Sequence, residues 1–127
     1  GYWSKTNVGQ HATWSYFENT IDYWLKKNNL PKEKLVAGVP FYGWLFKSAD
    51  NAEGAEEVAY RDILDRFPDQ GAHLKDNMGL LYYNGIETMQ KKAKYIKDNN
   101  LGGIMIWELT QDADDADKSL LNAIHEM

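Results

Sequence analysis

The sequence predicts an α/β fold with a parallel sheet, in which the chain is the C-terminal portion of a (β/α)8 barrel. Residues 35–42 and 103–109 are short and almost wholly apolar, as parallel strands buried on both faces are. Segments with helical spacing of apolar residues separate and flank these two runs, and right-handed crossovers through such helices make the strands parallel. Two parallel strands are too few for a stable sheet, so we expect a piece of a larger barrel of about 250 residues.

Composition sets the class of partner. The chain has 127 residues, of which 43% are hydrophobic and 26% charged, which predicts a globular chain of one domain at most. A formal net charge of -5 argues against binding to nucleic acid or anionic lipid. No apolar run is long enough to span a membrane, and the absence of cysteine excludes disulfides and thiolate chemistry while leaving the cellular compartment open.

The first half of the chain predicts a loop, a helix and a strand. Residues 1–13 are polar and without period, and residues 14–28 carry apolar side chains at helical spacing. Trp14 and Trp24 fall on the inward stripe of this helix and are predicted to be core residues. Pro40 predicts that the strand at 35–42 ends at a sheet edge or a bulge.

The middle of the chain is predicted to be looser. Residues 43–55 and 69–78 are predicted loops, separated by a short helix that stops at Pro68. GLLYY at 79–83 predicts a small strand, and Asn84 followed by Glu87 resembles a capping box. The helix that it would open has an apolar face, and a second, solvated face made of its lysines. Those lysines are Lys91, Lys92, Lys94 and Lys97.

The last segment begins with the strand at 103–109 and continues through an acidic loop at 110–117. A final helix follows, whose predicted inward residues are Leu120, Leu121, Ile124 and Met127. The acidic residues before this helix are predicted to stabilise its start through the helix dipole. They lack the residues that a calcium loop requires.

The carboxyl ends of the two strands are the predicted site, since ligands of parallel α/β folds bind there. The sequences at these ends are FYGW at 41–44 and IWEL at 106–109, each an aromatic ring beside polar groups. Rings stack on the apolar face of a pyranose, and neither strand is followed by a phosphate-binding glycine loop. Carbohydrate is therefore the favoured ligand. His11, His73 and His125 have no metal-binding spacing and are predicted to be surface or loop residues, so neither a metal nor a cofactor is expected.

Two segments resemble one known family. KLVAGVPFYGW at 34–44 and GGIMIWELTQD at 102–112 resemble strands seven and eight of glycoside hydrolase family 18, the chitinase family. LYYNGIETMQKKAKY at 81–95 is similar to the segment that enters helix seven, and GYWSKTNVGQHA at 1–12 to the loop that leaves strand six. The resemblance covers nearly the whole chain in the family's order, and implies that residues 1–127 are a C-terminal fragment of the catalytic barrel.

The resemblance also implies the site residues and the ligand. The family's tryptophan at the position of Trp107 forms the floor of the subsite for the sugar on the non-reducing side of the cleaved bond. Glu108, Tyr42 and Trp44 are further candidates for sugar contacts, although many relatives have arginine at position 44. Trp3 lies in a loop that often adds an aromatic ring to the cleft. The implied partner is chitin or another glycan that contains N-acetylglucosamine.

No catalytic residue is assigned to the chain. Family members carry an acid motif, D-x-x-D-x-D-x-E, on strand four, and a Met-x-Tyr-Asp segment on strand six; neither is present. Asp112, Asp115 and Asp117 imitate the acid motif, but Ser119 stands in place of its glutamate.

The resemblance therefore implies a parent hydrolase of β-1,4-linked N-acetylglucosamine polymers that uses the substrate's own acetamido group, and an isolated chain without activity. Two alternatives remain open at this point. One is a non-catalytic, lectin-like member of the family. The other is a fragment without ligand that self-associates through exposed strand edges.

Overall fold

The computed structural model describes residues 6–127. Its helices are α1 (Trp14–Asp22), continued by a π-helical turn at Tyr23–Lys27, α2 (Tyr60–Arg66), α3 (Ile86–Asp98) and α4 (Leu120–His125). Its strands are β1 (Val36–Pro40), β2 (Tyr42–Leu45), β3 (Glu56–Ala59), β4 (Asn77–Met78), β5 (Leu81–Tyr82) and β6 (Gly103–Trp107). Short 3-10 turns occupy Lys32–Lys34, Ala72–Leu74 and Leu109–Gln111.

The two apolar runs form the predicted parallel pair. β1 and β6 run in register from Val36 opposite Gly103 to Pro40 opposite Trp107, and α3 crosses between them along the chain. β1 ends at Pro40, two residues before the predicted end of the strand, and Tyr42 begins β2. The β/α order and the parallel pairing are therefore confirmed.

Burial of the parallel pair differs from the prediction. Ala37 and Val39 are buried, and Ala37 packs with residues of α1 and α3. On the other face, Val36 is 52% exposed and Met105 is 51% exposed. The expectation of strands buried on both faces is wrong for this chain, because the helices of the described residues cover one face of the sheet.

A second, antiparallel sheet lies where much of the sequence predicted loop. Its strand order is β3-β2-β5-β4, with Trp44 opposite both Glu57 of β3 and Tyr82 of β5. Its strands are two to four residues long, too short to show a clear period. The prediction of loops over 43–55 and 69–78 is thus wrong for β2 and β4, whereas the small strand within 79–83 is confirmed.

One core joins the two sheets. Its buried members come from β1, β3, β5, α2, α3 and α4, and they include Val39, Val58, Tyr60, Ile63, Leu81, Met89 and Leu120. The buried hydroxyl group of Tyr60 donates to the carbonyl oxygen of Lys118 at 2.7 Å, and that of Tyr83 to the carbonyl oxygen of Ala72 at 2.6 Å. These bonds satisfy the polar ends of two large core rings, as burial requires.

The predicted burial of three helical side chains is wrong. Trp24 is 44% exposed and Leu121 is also 44% exposed, although both were predicted to be inward. Lys92 is 1% exposed, although the sequence predicted that it lies on a solvated helix face. Helical spacing does not distinguish such positions when the apolar stripe is wide. Within residues 6–127, none of the helices has the length and apolarity to cross a bilayer.

The predicted capping box is absent at the start of α3. Its N-cap residue is Gly85, which has no side chain to accept a hydrogen bond. Asp76 supplies the acceptor instead, taking bonds from the Gly85 amide at 2.8 Å and the Thr88 hydroxyl at 2.5 Å. Asn84 is left free to turn inward, where it contacts Lys92.

Candidate functional site

The carboxyl ends of β1 and β6 lie side by side. Trp107 is opposite Pro40, and the amide of Phe41 donates to the Trp107 carbonyl oxygen at 2.8 Å. The indole of Trp107 is 60% exposed, and the peptide bond that follows it is cis. The chain thus presents a large apolar ring to solvent at the edge where α/β folds bind their ligands.

Tyr42 and Trp44 lie beside Trp107. They alternate along β2 and so project from one face of the antiparallel sheet, with their rings edge to face, 6.4 Å apart between centroids and at 86°. All three rings line one cleft of about 700 Å³, together with Pro40 and Met105. The structure therefore brings together three of the five residues that the sequence singled out.

The other two predicted residues are placed differently. The Glu108 carboxylate accepts a bond from the Thr110 hydroxyl at 2.5 Å, and its amide donates to the Gln111 side chain at 3.3 Å. Glu108 thus caps the 3-10 turn that follows β6 and is not among the lining residues of the cleft. Its contact with sugar stays a prediction. Trp3 lies outside the described residues.

His11 is a site residue that sequence reasoning missed. It lies in a loop, as predicted, but both of its ring nitrogens are buried and have no hydrogen-bond partner among residues 6–127. Its ring stacks on Tyr42, with centroids 5.3 Å apart and an angle of 23° between the planes. Burial lowers the pKa of His11 to about 4, and the positive charge of Lys92 acts in the same direction, so the imidazole is neutral at pH 7. Nothing in the local sequence signals this position.

Lys92 is the second residue that the sequence did not reveal. Its amine donates to the carbonyl oxygen of Ala12 at 2.9 Å and to Asn84 Oδ1 at 2.7 Å. Burial lowers its pKa to about 8, against the opposing effect of Asp76, so the amine is still mostly protonated at pH 7. It ties α3 to the segment that carries His11.

Glu57 adds a negative charge at the edge of the same surface. It is exposed, lies opposite Trp44 in the strand pair and accepts a 3.4 Å bond from the Gln111 side chain. Burial raises the pKa of Tyr42, and the Glu57 carboxylate raises it further. The Tyr42 phenol is therefore protonated at neutral pH and can donate a hydrogen bond to a ligand.

Of the acidic run after β6, Asp112 lies at the start of α4, where the sequence predicted a stabilising acidic residue, and it acts there through hydrogen bonds. Asp112 accepts bonds from the amides of Leu120 and Leu121, at 2.8 and 3.1 Å, and from the Ser119 hydroxyl at 2.6 Å. Its two oxygens are thus used at the start of α4. No group of three or more potential metal ligands occurs in the described part of the chain.

The cleft offers aromatic faces with hydrogen-bonding groups at their edges.

Known proteins resemble this chain along nearly all of its length. The family model described as Glycosyl hydrolases family 18 matches residues 1–112. The chain is similar to the human protein Chitinase-3-like protein 2, with 31% identity over 88% of this chain and 38% of that protein. It is also similar to the solved structures of the GH18 chitinase ChiB from the chitin utilization locus of Flavobacterium johnsoniae and of a chitinase from Bacteroides thetaiotaomicron.

The two structures agree closely with the chain. The match to the Flavobacterium johnsoniae structure has a TM-score of 0.81 at 38% identity, and it covers 99% of this chain and 38% of that chain. The match to the Bacteroides thetaiotaomicron structure has a TM-score of 0.84 at 35% identity, and it covers 98% of this chain and 40% of that chain. The chain thus spans about two fifths of the length of these relatives. The predicted fold class, a portion of a (β/α)8 barrel, is confirmed.

Proposed function

Because the chain belongs to glycosyl hydrolase family 18, we propose that it forms the aromatic part of the sugar-binding cleft of a chitinase-like protein. The observation that carries the proposal is the convergence of Tyr42, Trp44 and Trp107 on one cleft at the strand ends. The ligand is chitin or another β-1,4-linked glycan of N-acetylglucosamine. Similarity to structures named as chitinases, one of them from a chitin utilization locus, supports this choice.

The exposed indole of Trp107 is suited to this ligand. The faces of a pyranose ring carry C–H groups and stack on flat aromatic rings, whereas its hydroxyl groups point outward to polar partners. Covering most of an exposed tryptophan ring contributes on the order of 2 kcal/mol. Trp107 is the floor of the proposed subsite, and the Tyr42 hydroxyl is the donor beside it.

Catalysis is assigned to the parent protein rather than to this chain. The chain contains no D-x-x-D-x-D-x-E sequence, and Asp112, the first residue of the run that imitates it, is bonded to the start of α4. We propose that the parent hydrolyses the glycan with the acetamido group of the substrate as nucleophile. The 127-residue chain then binds sugar without cleaving it.

A titration with the tetramer of N-acetylglucosamine, followed by calorimetry, tests the proposal. We expect Trp107→Ala to weaken binding at least about tenfold, with little change in stability because the ring is exposed. Tyr23→Ala is the matched control, since this ring is also exposed but does not line the cleft. Equal affinity of Trp107→Ala and the unsubstituted chain contradicts the proposal. Hydrolysis of a chromogenic chito-oligosaccharide by the isolated chain contradicts the proposal that the catalytic acid belongs to another part of the parent protein.

A non-catalytic glycan-binding protein is the first alternative. The similarity to a protein named chitinase-3-like as well as to chitinases leaves it in place. The residue at the last position of the strand-four motif of the parent distinguishes the two. A glutamate there indicates an enzyme, and any other residue a binding protein.

Self-association is the second alternative, and one observation favours it. The uncovered face of the parallel pair exposes Val36 and Met105, and β1 and β6 pair with each other alone among the described strands. A second copy of the chain would cover such a face. Light scattering tests this: a concentration-dependent dimer that Met105→Lys abolishes supports the alternative, and a monomer at all concentrations contradicts it.

A further inference from the structure

We propose that His11 is a positioning residue that fixes the ring of Tyr42 in the cleft. The inference deepens the proposed function, on which its ligand readout rests, because it assigns to His11 a role that acts through Tyr42. It stands on the contacts of three neighbouring side chains and on the anchoring of the segment that carries His11.

The Tyr42 ring is held on two sides. His11 lies against its face, with 5.3 Å between centroids and 23° between planes, and Trp44 meets it edge to face at 6.4 Å and 86°. Both arrangements fall within the preferred geometries of aromatic pairs. With its face and one edge in contact, the ring has a defined plane before a ligand arrives.

His11 contributes a flat ring rather than a hydrogen bond. Both of its nitrogens are buried without a hydrogen-bond partner in the described part of the chain, which is unfavourable for a polar group. The ring stacks on Tyr42, and another aromatic ring at this position would supply the same contact.

The residues on both sides of His11 are anchored to distant parts of the chain. The Gln10 amide donates to the carbonyl oxygens of Asp76, at 3.1 Å, and Tyr83. The Ala12 carbonyl oxygen accepts bonds from Lys92 at 2.9 Å and Asn84 at 3.2 Å. His11 therefore cannot move away from Tyr42 without disturbing the hydrogen bonds that hold its two neighbours. An anchored ring can hold a second ring in place, and this is the property that a positioning residue needs.

Two substitutions of His11 test whether its aromatic ring is needed or whether any side chain that fills the space is sufficient. His11→Leu keeps an apolar side chain but removes the ring, and His11→Phe keeps the ring without its nitrogens. With the tetramer of N-acetylglucosamine as probe, we expect about fivefold weaker binding for His11→Leu and unchanged binding for His11→Phe. In a Tyr42→Ala background, His11→Leu is expected to have no further effect. The control is His125→Leu, at an exposed position.

The aromatic proton resonances of Tyr42, observed by NMR without ligand, give an independent readout. The ring current of His11 shifts them, and His11→Phe preserves a large shift that His11→Leu abolishes. Unchanged Tyr42 resonances in His11→Leu overturn the inference, as does binding by His11→Phe as weak as that of Tyr42→Ala. Absence of binding by the unsubstituted chain contradicts the proposed function alone, and the resonances then decide the role of His11. If His11→Leu does not fold, the binding affinity and the Tyr42 resonances of His11→Phe decide the role of His11.

Discussion

Trp107 lies directly opposite Pro40 in the parallel sheet, so that β6 ends level with the strand that leads into Tyr42. The register alone therefore brings two aromatic residues, separated by 65 positions of sequence (107 minus 42), to one edge of the molecule. A shift of the register by one residue would turn Trp107 to the opposite face. The candidate site thus depends on the packing that fixes this register.

Acid is expected to destabilise the chain through His11. Burial lowers the pKa of His11 to about 4, whereas an unfolded histidine titrates near 6.5. The unfolded chain therefore binds more protons between these values, and the free energy of unfolding falls as the pH drops through this window. Lowering the pH from 7 to 5 is expected to cost about 2 kcal/mol from this group, as measured by urea denaturation followed by tryptophan fluorescence.

Carboxyl groups also titrate in this range, so the informative quantity is the difference between variants. His11→Phe is expected to remove the 2 kcal/mol contribution cited above while leaving the rest of the pH dependence. His125→Phe, at an exposed position, is expected to keep the full dependence. The same slope with pH in His11→Phe as in the unsubstituted chain would show that this imidazole does not titrate as described.

Lys92→Met is expected to destabilise the chain by about 2–4 kcal/mol. The substitution leaves the carbonyl oxygen of Ala12 and the Asn84 side chain, to which Lys92 donates, short of a buried donor. Lys94→Met is the control on the same helix, because Lys94 is exposed and pairs with Asp98 at the surface, where such a pair contributes little. Comparable unfolding free energies for the two variants would be the contrary result.

Asp112→Ala is expected to destabilise the chain by about 1–3 kcal/mol. Asp112 accepts three hydrogen bonds at the start of α4, whereas Asp117 of the same acidic run is exposed. Asp117→Ala is therefore expected to change the unfolding free energy by less than about 0.5 kcal/mol. Thermal denaturation of both variants checks the order, and a larger loss for Asp117→Ala would contradict it.

Those features of the fold that follow from chemical composition along the chain could be predicted. Local residue types predict the two apolar strands, the helix at 86–98 and an acidic residue at the start of α4. The edge at which Tyr42 and Trp107 meet also follows from the general rule for parallel strands. Of the short antiparallel strands only β5 was predicted, and the order β3-β2-β5-β4 could not be, because the pairing is fixed by contacts between segments far apart in sequence.

Lys92 and His11 show the same limit within the site. Lys92 follows another lysine in a helix rich in lysine, and only the position of Ala12 and Asn84 around it makes burial of its charge tolerable. His11 stands in a polar loop, and its burial depends on the ring of Tyr42 packing over it. Tertiary contacts determine both environments, and no local pattern encodes them.

Gly43 connects the packing to the candidate site, and its replacement is expected to impair both. It lies between Tyr42 and Trp44 where β2 meets β5, and a Cβ atom at this position would be 2.4 Å from the Tyr82 carbonyl oxygen and 2.9 Å from the Tyr83 Cβ. Backbone atoms cannot yield as a flexible side chain does, so β2 must move away from β5. We expect Gly43→Ala to lower the unfolding free energy by about 2 kcal/mol or more and to weaken binding of the N-acetylglucosamine tetramer by displacing both rings. Gly38→Ala is the matched control for the unfolding free energy, because its Cβ would meet the flexible end of Met105, at 3.2 Å. If both glycine variants unfold at the same urea concentration as the unsubstituted chain, the close approach of the two strands does not constrain the site.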